Sequence, residues 1–124
     1  MTRLVIADDS RDMRWLIRSA VGDRFTEVVE AADGRALLWD LLVSTMAATP
    51  QLRTLVITDL CMPSYSGLEV LEAWRDELGP LPVILVTSFP STEVHLRAAE
   101  LGATVLAKPF RRRALQDLVD QLTR

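Results

Sequence analysis

Asp8-Asp9, Asp59, Thr87-Ser88 and Lys108 are the residues whose types and places could do chemistry together, because each group follows directly on a short apolar run. Brought to one place, they would be three carboxylates, a hydroxyl pair and an amine. Two bare carboxylates about 4 Å apart repel by roughly 4 kcal/mol at an effective dielectric near 20, so such a cluster either holds protons or binds a cation. Oxygen-only ligands point to magnesium. Magnesium would neutralise the acids and leave coordination positions open to phosphate oxygens, with Lys108 and the Thr87 hydroxyl available to the remaining ones. That is the chemistry of phosphoryl transfer.

Each residue also has a plain structural explanation. Asp8-Asp9 could cap the first helix, Asp59 could be a turn residue, Thr87 a strand-end hydroxyl and Lys108 a solvated lysine. What favours a site is their joint placement, and that depends on the elements that carry them. Leu4 to Ala7, Thr26 to Ala31, Thr54 to Thr58, Val83 to Thr87 and Thr104 to Ala107 are too short for helices and mostly aliphatic or β-branched, so they read as buried strands. Between and after them, helical spacing places Met13, Leu16, Ile17, Ala20 and Val21 on one face, then Leu71, Trp74 and Leu78, then Leu115, Leu118, Val119 and Leu122.

Ser10 and Ser91 stand where N-caps belong, Asp33-Gly34 marks the turn into the second helix, Gly67 the start of the third, and Gly102 lies just past the fourth. Ser44 to Arg53, with Pro50, reads as the end of the second helix and a loop. Strict alternation of strand and helix implies a parallel sheet covered on both faces. The predicted fold is α/β, a doubly wound, flavodoxin-like five-stranded parallel sheet, with residues 1–124 as one domain. In such sheets ligands gather beyond the carboxyl ends of the strands, where the polar residues above fall.

Composition narrows the function. At 124 residues, 49% apolar and 25% charged, the chain suits one ordinary domain with its own core. Fourteen Lys and Arg against 17 Asp and Glu give a net charge of -3, which supplies no reason to expect direct nucleic-acid binding. The one cysteine, Cys61, suits a reducing compartment, so the expected location is the cytoplasm. No apolar run reaches the roughly 20 residues of a membrane helix, and no signal-peptide pattern opens the chain.

With these residues in place the sequence resembles the receiver domains of response regulators in two-component signalling, the CheY-like family. The resemblance is carried by Asp8-Asp9, by Asp59-Leu60-Cys61-Met62-Pro63 with Gly67, by Thr87-Ser88 and by Lys108-Pro109-Phe110. It implies a phosphorylation-controlled switch, with Asp59 as phosphoacceptor from a sensor histidine kinase or histidine phosphotransfer protein. It implies a magnesium site of Asp9, Asp59 and the Cys61 backbone carbonyl, with Asp8 acting through a metal-bound water. Lys108 would pair with the phosphoryl group, Thr87 would be the switch hydroxyl, and Lys108-Pro109 would be cis. Output would pass to a downstream effector protein or a fused output domain, with no membrane contact; a homodimer stays open. Such a domain assists only its own phosphorylation and dephosphorylation and is not otherwise an enzyme.

The sequence departs from the family at three places. Three residues before Lys108, where many receivers carry Tyr or Phe, stands Val105, so output on the face of the fourth helix, fifth strand and fifth helix must run through a backbone shift following Thr87. Two residues after Asp59 and after Thr87 stand Cys61 and Phe89, neither of which can orient water. A bulky Phe89 over the site therefore predicts slow self-dephosphorylation.

Two other readings compete. A magnesium-dependent phosphohydrolase with an aspartate nucleophile would normally show a second Asp where Cys61 stands. A receiver-like interaction module that is never phosphorylated would not need the full Asp, Thr and Lys set. Elsewhere, His95 and Leu96 read as surface residues of the fourth helix, Leu96 falling off its apolar face. Arg111-Arg112-Arg113 reads as a solvated cluster, and Trp15, Trp39 and Trp74 read as core or partly buried, Trp15 the least aligned.

Overall fold

The computed structural model describes residues 2–47, 53–78 and 81–123. Strands β1 (Thr2–Ala7), β2 (Glu27–Ala31), β3 (Arg53–Asp59), β4 (Val83–Thr87) and β5 (Ala103–Ala107) alternate with helices α1 (Arg11–Val21), α2 (Gly34–Ala47), α3 (Gly67–Leu78), α4 (Thr92–Glu100) and α5 (Arg112–Leu122), with one 3-10 turn at Gly22–Arg24. The strands form one parallel sheet in the order β2-β1-β3-β4-β5. The α/β, doubly wound reading therefore holds.

Period-two alternation splits the core between the two faces of the sheet. Leu4 and Ile6 of β1, Leu55 and Ile57 of β3 and Ile84 and Val86 of β4 pack on one side with Ile17, Ala20 and Val21 of α1 and Leu115 and Val119 of α5. Val5 and Ala7, Val56 and Val83 pack on the other with Leu37 and Leu41 of α2 and Val70, Leu71 and Trp74 of α3. Each fully buried Leu or Ile contributes about 1.5–3 kcal/mol.

The caps explain where the helices start. Ser10 Oγ accepts the Met13 N–H at 3.2 Å, Asp33 Oδ1 accepts that of Ala36 at 2.7 Å, and Ser91 Oγ accepts that of Val94 at 3.1 Å. At α3 a reciprocal box forms: Ser66 Oγ accepts the Glu69 N–H, and Glu69 Oε1 accepts the Ser66 N–H. Gly102, at φ 75°, lets the chain leave α4 in the left-handed region.

Several expectations need adjustment. β3 runs one residue beyond its apolar run at each end, so Arg53 belongs to the strand and not to the preceding loop, and Asp59 sits inside the ladder opposite Val86. Thr26 stands before β2, its hydroxyl bonded to the Thr2 carbonyl. α2 reaches Ala47, while residues 48–52, which include Pro50, lie outside the described residues. Trp74 is buried as expected, but Trp15 is 68% and Trp39 69% exposed. Helical periodicity identified amphipathic segments and could not show that these two indoles point away from the sheet. Leu96 is exposed, in agreement with its position off the apolar face. Among the described residues, no helix is long and apolar enough to cross a membrane.

Candidate functional site

The strand order changes direction between β1 and β3, and the residues just beyond their carboxyl ends share the crevice that this change opens. Asp8 follows β1 and is almost wholly buried. Its Oδ1 accepts the Ser10 N–H at 2.8 Å, and its own N–H donates to the Ala31 carbonyl at 3.1 Å. Those bonds fix the turn that leaves Asp9 exposed beside it. Carboxylate oxygens of Asp8, Asp9 and Asp59 all lie within 4.8 Å of one another.

Lys108 reaches in from the end of β5. Its Nζ stands 3.2 Å from Asp8 Oδ2 and 3.3 Å from Asp59 Oδ1. Its N–H donates to the Thr87 carbonyl at 2.7 Å, which ties the β5 end to the β4 end, and its bond to Pro109 is cis. Thr87 is buried, and its Oγ1 accepts the Phe89 N–H at 3.1 Å. The sequence-predicted residues thus converge at one edge. Cys61, exposed, contributes its N–H to the Asp59 carboxylate.

The electrostatics follow from this packing. Burial pushes the Asp59 carboxyl above its ordinary range and Asp8 adds to the effect, while Lys108 and the Cys61 N–H oppose it. Burial pulls the Lys108 ammonium down, but Asp8 and Asp59 together overcome that and hold it above its ordinary value. One ammonium faces three carboxylates, so the ionised cluster keeps an excess of negative charge. An all-oxygen donor set with uncompensated charge fits a hard divalent cation such as magnesium.

Two features correct or extend the sequence reading. The Phe89 side chain is 80% exposed, so it does not lie over the carboxylates; the Thr87–Phe89 bond holds its backbone while the ring points outward. Arg14 belongs to the site as well: its Nη1 donates to the Asp8 carbonyl at 2.7 Å and its Nε to Glu30 Oε1 at 3.0 Å, fastening the acidic turn to β2. Position on α1 alone gave no signal, because the partner carbonyl is set by the turn. Val105 sits partly buried in mid-β5 opposite Leu85. His95 is exposed on α4, and Arg111 to Arg113 are exposed at the start of α5, Arg112 donating to the Ser19 carbonyl.

The loop after Asp59 is tightly constrained. The Gly67 N–H donates to the Leu60 carbonyl at 2.9 Å, and the Leu60 N–H to that of Val86 at 3.0 Å. A Cβ on Gly67 would stand 2.5 Å from the Asp59 carbonyl oxygen, so only glycine lets α3 begin here.

The family model for the response regulator receiver domain matches residues 4–120. The chain belongs to this family. It is 29% identical to the chemotaxis protein CheY of Pseudomonas aeruginosa, over 97% of this chain and 94% of that one. It is 31% identical to the response regulator MprA of Mycolicibacterium vanbaalenii, over 97% of this chain and 48% of that longer protein. The solved structure of CheY4 from Vibrio cholerae superposes with a TM-score of 0.77 at 28% identity, covering 98% of both chains. Receiver domains are signalling domains of two-component systems, which generally bind Mg2+ in an acidic pocket and interact with histidine kinases and output domains.

Proposed function

We propose that this receiver is a phosphorylation-controlled switch in which Asp59 accepts a phosphoryl group from a sensor histidine kinase or histidine phosphotransfer protein. The observation that carries the reading is the Lys108 ammonium set between Asp8 and Asp59 at 3.2 and 3.3 Å, beside Asp9 and the buried Thr87. A carboxylate oxygen of Asp59 forms the new bond to phosphorus as the bond from phosphorus to the donor histidine nitrogen breaks. Lys108 then meets the charge gathered on the phosphoryl oxygens, exchanging its contact with the Asp59 carboxylate for one with the phosphoryl group.

Asp9, Asp59 and the Cys61 backbone carbonyl would hold Mg2+, with Asp8 acting through a bound water. The ion's chemistry is to neutralise the acids and coordinate phosphoryl oxygens. Thr87 has its hydroxyl oxygen engaged by the Phe89 N–H. Turning that hydroxyl toward the phosphoryl group would break the bond and shift the β4–α4 loop, which supplies a backbone route to the α4-β5-α5 face in a chain with Val105. Output would pass from there to an effector protein or a fused output domain. The single exposed cysteine suits a reducing cytoplasm.

The test is intact mass after incubation with Mg2+ and acetyl phosphate. Wild type gains one phosphate-sized increment and Asp59→Ala gains none, while amide shifts of the phosphorylated protein move along α4, β5 and α5. Equal gain by both proteins would move the acceptor elsewhere. An unmodified wild type with verified Mg2+ binding would remove autonomous phosphoryl acceptance, and an unshifted α4-β5-α5 face would remove the output route.

A further inference from the structure

Helix α2 is apolar on the side away from the sheet as well as on the side that packs against it. From Ala36 to Val43 every residue but Asp40 is apolar, and Asp40 is tied back to β1 by two bonds to Arg3 at 2.8 and 2.9 Å. Leu37 and Leu41 fill the core, but Trp39 is 69% and Val43 43% exposed. A helix apolar all round is ordinarily covered on all sides.

The uncovered side of α2 borders α3 and the loop at Tyr65, itself 44% exposed. Two adjoining hollows, which share Leu38 and Tyr65, run along these helices. The larger holds about 970 Å³ of solvent-open space, room for more than one side chain. Charge around them is one-sided: Glu69, Glu72 and Asp76 on α3 and Asp33 before α2 stand against the single base Arg35 among the described lining residues. Glu72 is answered by Arg97 at 2.8 Å, which leaves the acidic excess to the others.

We propose that the α2–α3 groove is a docking site for an amphipathic helix of a partner protein, with apolar side chains on one face and Lys or Arg flanking them. Two adjoining hollows with Leu38, Trp39, Leu42, Val70 and Ala73 among their lining suit the apolar face of a helix laid across them. The acidic rim selects a basic partner and disfavours both anionic lipid and nucleic acid. Trp39 is the anchor, as a large exposed aromatic lining an apolar hollow is the kind of residue that dominates binding. None of its lining residues belongs to the acidic crevice.

The probes are two designed helical peptides of about 18 residues with the same leucine face, one bearing lysines and the other glutamates on its polar positions. Binding is read by anisotropy of a labelled peptide and located by amide shifts on the full chain. The lysine peptide should bind about 10-fold tighter than the glutamate one, with shifts confined to α2, α3 and the Tyr65 loop. Trp39→Ser should weaken it roughly 30-fold, Asp76→Lys should erase most of the charge preference, and Trp15→Ser should change nothing. Far-ultraviolet circular dichroism checks that each variant is folded.

Equal affinity for the two peptides, equal weakening by Trp15→Ser, or no effect of Trp39→Ser would overturn the proposal. So would sedimentation showing self-association abolished by Trp39→Ser, since the occupant would then be a second copy of this chain.

Discussion

Replacing Asp59 by asparagine should stabilise the metal-free protein, because the carboxylate sits in a cluster whose one cation leaves an excess of negative charge. At an effective dielectric of about 20, Lys108 at 3.3 Å attracts Asp59 by about 5 kcal/mol. Asp8, with an oxygen inside 4.8 Å, repels it by about 3.5 kcal/mol or more. Exposed Asp9 adds a screened repulsion of the same sign. These contributions nearly cancel, so the cost of burying a charge on a side chain only 12% exposed decides the outcome. The raised Asp59 pKa, caused first by burial and then by Asp8, has the matching direction.

A carboxyl whose pKa is higher folded than unfolded holds more protons in the native state between the two values. Stability therefore falls as pH rises from about 3.9 through the folded value, and stays lower above it. Asparagine keeps the shape and still accepts the Cys61 N–H, but has no charge to lose. In EDTA at pH 7, Asp59→Asn should be more stable by about 1–2 kcal/mol, the scale on which relieving a buried, poorly compensated charge acts. In urea that moves the midpoint up by roughly 0.5–1 M. The gap should shrink toward zero as pH approaches 4, and millimolar Mg2+ should narrow it at pH 7 by raising the wild type alone. An Asn variant no more stable than wild type at pH 7 in EDTA, or a gap that persists unchanged at pH 4, would refute the electrostatic account.

Two other predictions rest on packing. Gly67→Ala forces a Cβ to 2.5 Å from the Asp59 carbonyl and 2.9 Å from Leu85 Cδ1, and should cost about 3 kcal/mol or more by urea unfolding. Gly102→Ala meets nothing within 4 Å and should cost only about 1 kcal/mol for its positive φ, so equal losses would show that the contacts at Gly67 relax. With the Phe89 ring 80% exposed, Phe89→Ala should change the lifetime of a phosphorylated Asp59 by less than about twofold. A severalfold faster loss of the phosphate mass increment would restore a shielding role for the ring.

The sequence alone determined the order of elements, the two-faced core and the candidate residues, for local physical reasons. Short aliphatic runs cannot bury themselves as helices, Ser10 and Ser91 supply caps within three residues, and Asp8, Asp59, Thr87 and Lys108 inherit their shared edge from the parallel topology. Only the tertiary structure decided the rest, because it depends on partners distant in sequence. Lys108 meets Asp8 across 100 positions, Arg14 finds the Asp8 carbonyl through a turn, and Phe89 swings away from a crevice that its position borders. The sequence reads Trp39 and Trp74 alike as core or partly buried residues of amphipathic helices. Their different fates were set by which side of each helix the sheet covers, leaving Trp74 in the core and Trp39 in solvent beside an acidic groove.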